Sequence, residues 1–290
     1  MKHAYLILAH NEWVILQTLL DCIDDERNDI FVHIDAKVKE LPQLHTEKSS
    51  LHILTDRVDV RWGDLSVVDA ECKLFAAASA NDTYEYYHLL SGVDLPLRSQ
   101  DYIHRFFSVN RGREFIGFST YDAAGEVRRK VNYWHLFPMD FKNRSSLKRA
   151  LRAVFIRIQT ALHITRNRKE TFRKGTQWVS VTDAFARYLV GAYPWIRKTF
   201  THTFCPDEIY KQTLCWGLPH FRQRVYDLTD EGHGCVRAVG WREDADGNWQ
   251  LKDWSAADYE ELAASDALFA RKFNGTDMDF IGRIVELSKR

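Results

Sequence analysis

Four stretches in the first hundred residues are apolar almost without interruption. They are HAYLILAH (His3–His10), DIFVHIDAK (Asp29–Lys37), LHILTD (Leu51–Asp56) and YEYYHLLSG (Tyr84–Gly92). Short unbroken runs of this kind predict strands buried on both faces. Helical periodicity fills the gaps. After the first run, Trp13, Leu16, Leu19 and Leu20 fall on one helical face, with Asn11 placed to cap it. After the third, LSVVDAECKLFAAASA predicts a helix capped by Ser66, with Asp69 three residues on. Alternating strands and helices predict an α/β fold, a Rossmann-like, mostly parallel sheet with helices on both faces. Ligands then sit outside the carboxyl ends of the strands, here Leu8–His10, Asp35–Lys37 and Ser91–Asp94.

The second half is less regular. GTQWVSVT (Gly175–Thr182) and GCVRAVGW (Gly234–Trp241) read as strands, Thr182 as a helix cap, and SAADYEELAAS (Ser255–Ser265) as a capped helix. Between residues 143 and 175 the chain is heavily basic, with Glu170 its only acid. Within it Leu147, Leu151, Val154, Phe155, Ile158 and Leu162 share one helical face, and Lys148, Arg149, Arg152 and Arg157 lie off it. Two readings fit: a surface helix packed on the core, or a peripheral contact with an anionic membrane through residues 146–174. No repeat or low-complexity linker divides the chain. A single domain over 1–290 is expected, with a nucleotide-binding half (1–120) and an acceptor and catalytic half (121–290).

Composition narrows the function. Forty basic residues balance forty acidic ones, so nucleic acid is excluded as a partner bound by bulk charge. Nine Trp and twelve Tyr suit a protein that packs aromatic faces on sugar rings, although aromatics build cores more often. Five widely spaced cysteines (Cys22, Cys72, Cys205, Cys215 and Cys235) form no CxxC and fit a reducing compartment. The apolar run before His10 is too short for a signal peptide or a membrane span, so a cytoplasmic protein is expected. No GxGxxG or P-loop follows the first strand.

Seven segments, AYLILAHNE, FVHIDAK, VRWGDLSVVDA, YYHLLSGVDLPL, GTQW, CPDE and LFARKF, occur in an order and spacing that resembles the core-2/I-branching N-acetylglucosaminyltransferase family, which also contains peptide O-xylosyltransferases. The resemblance runs from Ala4 to Phe273 and is nearest to compact bacterial members. It implies a GT-A-like fold, a UDP-sugar donor, inversion at the anomeric carbon and no metal cofactor. The position where metal-dependent GT-A enzymes carry Asp-x-Asp reads SGVD, with Gly92 two residues before Asp94. Asp-x-Asp does occur in the Gly-containing loop at Asp244–Asp246 and at Asp277–Asp279, a helix start, and both are read as structural.

Without a metal, fixed cations must neutralise the departing diphosphate. The resemblance assigns this to Lys272 and Arg271 of FARKF and to Arg237 of VRAV. It assigns the catalytic base to Glu208 of CPDE, with Pro206 starting a helical turn and Asp207 a capping residue. Leu8, Ala9, His10, Asp35, Ala36 and Lys37 match nucleotide-contacting positions, and Trp62 an aromatic contact to the base. His33, inside its strand, is read as core. Trp178, Arg128, Arg129 and Tyr133 fall where acceptor contacts are expected. The activity implied is transfer of a sugar, N-acetylglucosamine first and xylose second, to a glycan or glycolipid in bacterial surface polysaccharide synthesis. A non-catalytic nucleotide- or carbohydrate-binding protein and a two-carboxylate hydrolase are the competing classes.

Overall fold

The computed structural model describes residues 2–120, 125–140, 145–243, 247 and 249–290. In chain order the strands are β1 (His3–Ala9), β2 (Asn28–Ile34), β3 (Ser50–Ile53), β4 (Tyr86–Ser91), β5 (Asp94–Pro96), β6 (Phe115–Ile116), β7 (Val179–Thr182), β8 (Arg237–Val239), β9 (Trp241–Glu243), β10 (Trp249–Leu251) and β11 (Phe269–Arg271). The helices that frame the site are α1 (Trp13–Ile23), α2 (Leu65–Asn81), α3 (Gln100–Val109), α4 (Glu126–Asn132), α5 (Ser146–Ala161) and α6 (Asp183–Gly191).

The central sheet has the order β3-β2-β1-β4-β7-β6. The first four strands are parallel, and β7 runs antiparallel to both β4 and β6. This is the mixed α/β, GT-A-like architecture the sequence predicts. β1, β2 and β4 are buried on both faces because a core lies on each side. One core contains Leu6, Phe31, Leu89 and the inner face of α2 and α6. The other contains Ile7, Val32, Leu90, α1, α3 and the C-terminal helix Met278–Leu287.

A second, three-stranded sheet, β5-β11-β8, grows from the end of β4. The chain crosses from β4 to β5 through Gly92 and Val93. A Cβ on Gly92 would lie 3.0 Å from Ala9 Cβ, so the close approach of β1 keeps this position small. Arg271 pairs with Asp94 and Val239 across β11. The carboxyl edge of the main sheet and the FARKF segment thereby face one another.

Local chemistry differs from expectation at three places. Asp64, not Ser66, caps α2, accepting from the Ser66 N–H at 2.7 Å. Glu12, not Asn11, stands at the cap of α1 in a left-handed conformation, and its carboxylate accepts from Gly275 N–H at 3.0 Å. The run GCVRAVGW is interrupted at Gly240 and contributes to two separate sheets. Thr182 does cap α6, accepting from Phe185 N–H at 3.3 Å. Among the described residues no helix is long and apolar enough to cross a membrane.

Helix α5 packs inside out. Its buried residue is polar: Gln159 exchanges two 2.9 Å hydrogen bonds with the backbone of Trp134. Arg152 donates to the carbonyls of Leu136, Phe137 and Asp140, and Lys148 pairs with the Asp140 carboxylate. The apolar stripe expected to meet either the core or a membrane faces outward.

Candidate active site

A cavity of about 1210 Å³ opens along the carboxyl edge of the main sheet. Its lining includes Leu8, Ala9, His10, Asp35, Lys37 and Trp62 from the first half of the chain. Glu208, Lys174, Trp178, Arg237, Arg271 and Lys272 line it from the second. Lys174 apart, these are residues the sequence singles out, and the fold brings them to one space. Ala36, expected beside them, does not line the cavity. Its N–H bonds Val58 at 2.9 Å, and the residues on either side of it face the cavity. His33 is core, accepting from Val58 N–H at 2.9 Å.

Where the first half of the chain lines the cavity, Asp35 is buried and anchored. Its carboxylate accepts from Lys37 N–H at 2.9 Å and from Lys37 Nζ at 2.7 Å, and Lys37 also reaches Asp59 at 3.0 Å. Trp62 is half exposed, with its ring edge-on to Phe204 at 5.4 Å. An aromatic face and a fixed carboxylate lining one cavity can hold a planar base and the hydroxyls of its ribose.

Glu208 lies in a single 3-10 turn, Pro206–Glu208, that Pro206 opens. Two devices fix it. Its carbonyl accepts from Gly175 N–H at 2.9 Å. Gly175 can supply that bond because a Cβ there would stand 1.8 Å from the Gly117 carbonyl oxygen, so only glycine fits the crossing. Its carboxylate faces two lysines, Lys130 at 3.5 Å and Lys174 at 3.7 Å, which are in turn shared by Glu126 at 2.7 and 3.2 Å. Burial opposes the charge on Lys130, yet Glu208 and Glu126 outweigh it and the lysine titrates above its ordinary value. Lys130 Nζ, mainly through its hydrogen bond, holds Glu126 below the usual carboxylate range.

Beneath this turn is a buried ionic network. Glu71 of α2 accepts from Gln177 at 2.8 Å, from the Tyr210 hydroxyl at 2.6 Å and from Lys211 Nζ at 2.5 Å. Lys211 also donates to the Asp207 carbonyl at 3.2 Å. Glu71 and Lys211 are fully inaccessible. Asp207 does not act as a cap. Its Oδ1 is sealed and meets no hydrogen-bond partner among the described residues. Burial first, then the charges of Glu208 and Glu71, push its pKa up to about 7. The stability carried by neutral Asp207 is therefore complete below its unfolded pKa, about 4, and is lost as pH rises through about 7. Asp207→Asn cannot ionise. Its melting temperature should gain on wild type as pH rises from about 5 to about 8, measured by thermal scans across that window. A constant difference would remove the assignment.

At the other wall, Arg271 lies over the Trp178 ring at 4.5 Å and pairs with Asp94 at 3.3 Å. Lys272 is more exposed and pairs with Asp253 at 3.1 Å. Asp94 is buried and also accepts from the Ser91 N–H and hydroxyl. The carboxylate at the Asp-x-Asp position is thus committed to protein donors. Asp277 caps the C-terminal helix, as expected, and Asp244–Asp246 lie outside the described residues. Among the described residues no group of three or more His, Cys, Asp or Glu could hold a metal ion.

Two sequence expectations need correction. Arg237 is buried, and its guanidinium donates inward to the carbonyls of Cys235 and Val179 and to Ser180 Oγ, with its plane over Phe269. It supports the cavity floor, and its fork is not open to a diphosphate. On α4, Arg128 and Arg129 are exposed and do not line the cavity, nor does Tyr133 at the helix end. Trp178 does line it, but carries Arg271 on its ring. The helix turns Glu126 and Lys130 toward Glu208 instead. The spacing Glu-x-x-x-Lys marks such a pair in the sequence, but not which distant carboxylate it meets.

One cavity thus gathers an anchored carboxylate and an aromatic ring from the first half of the chain, and a carboxylate, two lysines and an arginine from the second. The comparisons with known proteins give the class of protein. The family model described as "Core-2/I-Branching enzyme" matches residues 3–264, and the chain belongs to that family of glycosyltransferases. It is similar to xylosyltransferase 2 of Rattus norvegicus, 21% identical over 300 residues, and of Mus musculus, 21% identical over 305 residues. Each alignment covers 95% of this chain and 32% of the relative, so the chain spans about a third of the length of these curated relatives.

Proposed function

We propose that the protein is an inverting, metal-independent glycosyltransferase that moves a sugar from a UDP-sugar to a hydroxyl of a glycan or glycolipid. The observation that carries this is the single cavity that Glu208, Arg271 and Lys272 all line. In a single in-line displacement the acceptor hydroxyl attacks the anomeric carbon as the carbon–oxygen bond to UDP breaks. Glu208 takes the hydroxyl proton. Lys272 and Arg271 receive the negative charge that gathers on the diphosphate. Asp35 and Trp62 hold the nucleoside, and Lys130 and Lys174 keep the Glu208 carboxylate aimed. The metal-independent reading is supported by Asp94, whose oxygens are already taken by Ser91 and Arg271.

N-acetylglucosamine is the donor sugar proposed first. Xylose is a second reading, favoured by the names of the curated relatives. The five cysteines are free thiols, which fits work in a reducing compartment. Thermal shift with UDP-N-acetylglucosamine, UDP-xylose and UDP tests the reading, because a ligand that binds the folded state raises the melting temperature. One of the sugars, and UDP, should stabilise the protein equally with and without EDTA. Lys272→Ala should weaken UDP about tenfold, the loss of one charge-assisted hydrogen bond. A protein unmoved by every UDP compound would sink the function, and an EDTA-sensitive shift would sink its metal-independence.

A further inference from the structure

The outward face of α5 carries an interaction surface. Leu147, Leu151, Val154 and Ile158, with Leu162 just beyond the helix end, recur at helical spacing and are 44–67% exposed. The helix is held to the body by the opposite, polar side, through Gln159, Arg152 and Lys148. A surface helix ordinarily buries its apolar stripe and hydrates its polar one. Here the arrangement is reversed, and a contiguous apolar stripe of this size marks a contact site.

We infer that α5 docks on the surface of an anionic lipid bilayer. Charge decides between this occupant and a second copy of the chain. Helix α5, Ser146–Ala161, contains four Lys and Arg and no Asp or Glu. Pairing two such helices face to face would set like charges against one another. A bilayer bearing anionic headgroups accepts both parts of the surface. The leucines and isoleucine enter the headgroup–acyl boundary, and Arg149 and Arg157, both exposed, meet the phosphates.

The body-facing side of the docking helix adjoins the cavity. Asp140 lines the cavity and is the residue that Lys148 and Arg152 of α5 grip. Docking therefore holds the cavity one helix diameter, roughly 10 Å, from the headgroups. On the transferase reading, from which this last step follows, a lipid-carried glycan is the acceptor class so served.

The full chain should sediment with vesicles of equal parts phosphatidylglycerol and phosphatidylcholine, much less with phosphatidylcholine alone, and less at high salt. Arg149→Gln with Arg157→Gln should lower partition about twenty-fivefold, roughly fivefold for each basic residue at an anionic surface. Leu151→Glu with Ile158→Glu should abolish it. All four positions are exposed, so folding is checked by the melting temperature alone. Equal sedimentation with neutral and anionic vesicles, none with either, or variants that partition like wild type would overturn the docking. So would a wild-type dimer in solution that Leu151→Glu with Ile158→Glu turns into monomers, since the occupant is then a second copy. The UDP thermal shift separates this inference from the proposed function. A UDP shift without vesicle binding overturns the docking and leaves the transferase. Vesicle binding without a UDP shift does the reverse.

Discussion

Glu208→Gln is expected to lower the rate of sugar transfer about a hundredfold or more while leaving UDP binding unchanged. The substitution is nearly isosteric. It keeps the Glu208 carbonyl on Gly175 N–H, so the turn retains its place. Lys130 and Lys174 keep Glu126 as a partner at 2.7 and 3.2 Å, so neither lysine is left facing an empty site. What disappears is the basic oxygen that receives the acceptor proton. The loss should therefore fall on kcat, with the UDP-induced thermal shift equal to that of wild type. Transfer near the wild-type rate from a variant that still binds UDP would remove Glu208 from the reaction. Loss of UDP binding instead would show that the residue serves the donor rather than the acceptor.

Lys211→Met is expected to be the most destabilising single change in the region, by about 3–5 kcal/mol, because it leaves the Glu71 carboxylate buried without a cation. Tyr210 and Gln177 would still donate to it, but two neutral donors do not replace a paired charge in a site closed to water. Replacing both members of the pair tests this account against a simple packing loss. Glu71→Gln with Lys211→Met removes both charges, and should recover most of the stability, since a neutral pair of similar volume often matches or exceeds a buried ion pair. Denaturant melts of the two variants give the answer. A cost below about 1 kcal/mol for Lys211→Met, or no recovery in the double variant, would show that the pair is not what holds this region. Lys211 also supports the Asp207 carbonyl, so the single variant should loosen the turn that carries Glu208.

Much of the frame could be read from residue patterns. The unbroken apolar runs gave β1, β2 and β4 because strands covered on both faces leave no room for alternation. The direction of β7 could not be read. VSVT is a strand by its residues, but whether it runs with or against β4 depends on a partner about ninety residues away. The three-residue strands β5, β8 and β11 are too short for any periodicity, and they exist because they pair with one another. Glu71 was a missed signal: it sits among Val67, Val68, Cys72, Leu74 and Phe75, on the buried side of α2, where an acid implies a buried partner. Lys130 and Lys174 lay beyond reach for another reason. Glu208 is 78 residues from one and 34 from the other, and nothing local records their meeting. For α5 the stripe was legible, but periodicity gives the composition of a face and not the direction in which it points.

Arg271 ends a strand of a small sheet that joins the main one through Gly92 and Val93, and Lys272 follows it directly, whereas Glu208 hangs from a turn braced by α2 and the Gly175 crossing. The two halves of the proposed chemistry are thus mounted on separately supported walls. On that reading substitutions around the turn that keep Glu208, Lys130 and Lys174 can change which alcohol is glycosylated, while leaving-group chemistry stays with Arg271 and Lys272. A lineage could broaden its products in this way without rebuilding its use of activated sugar.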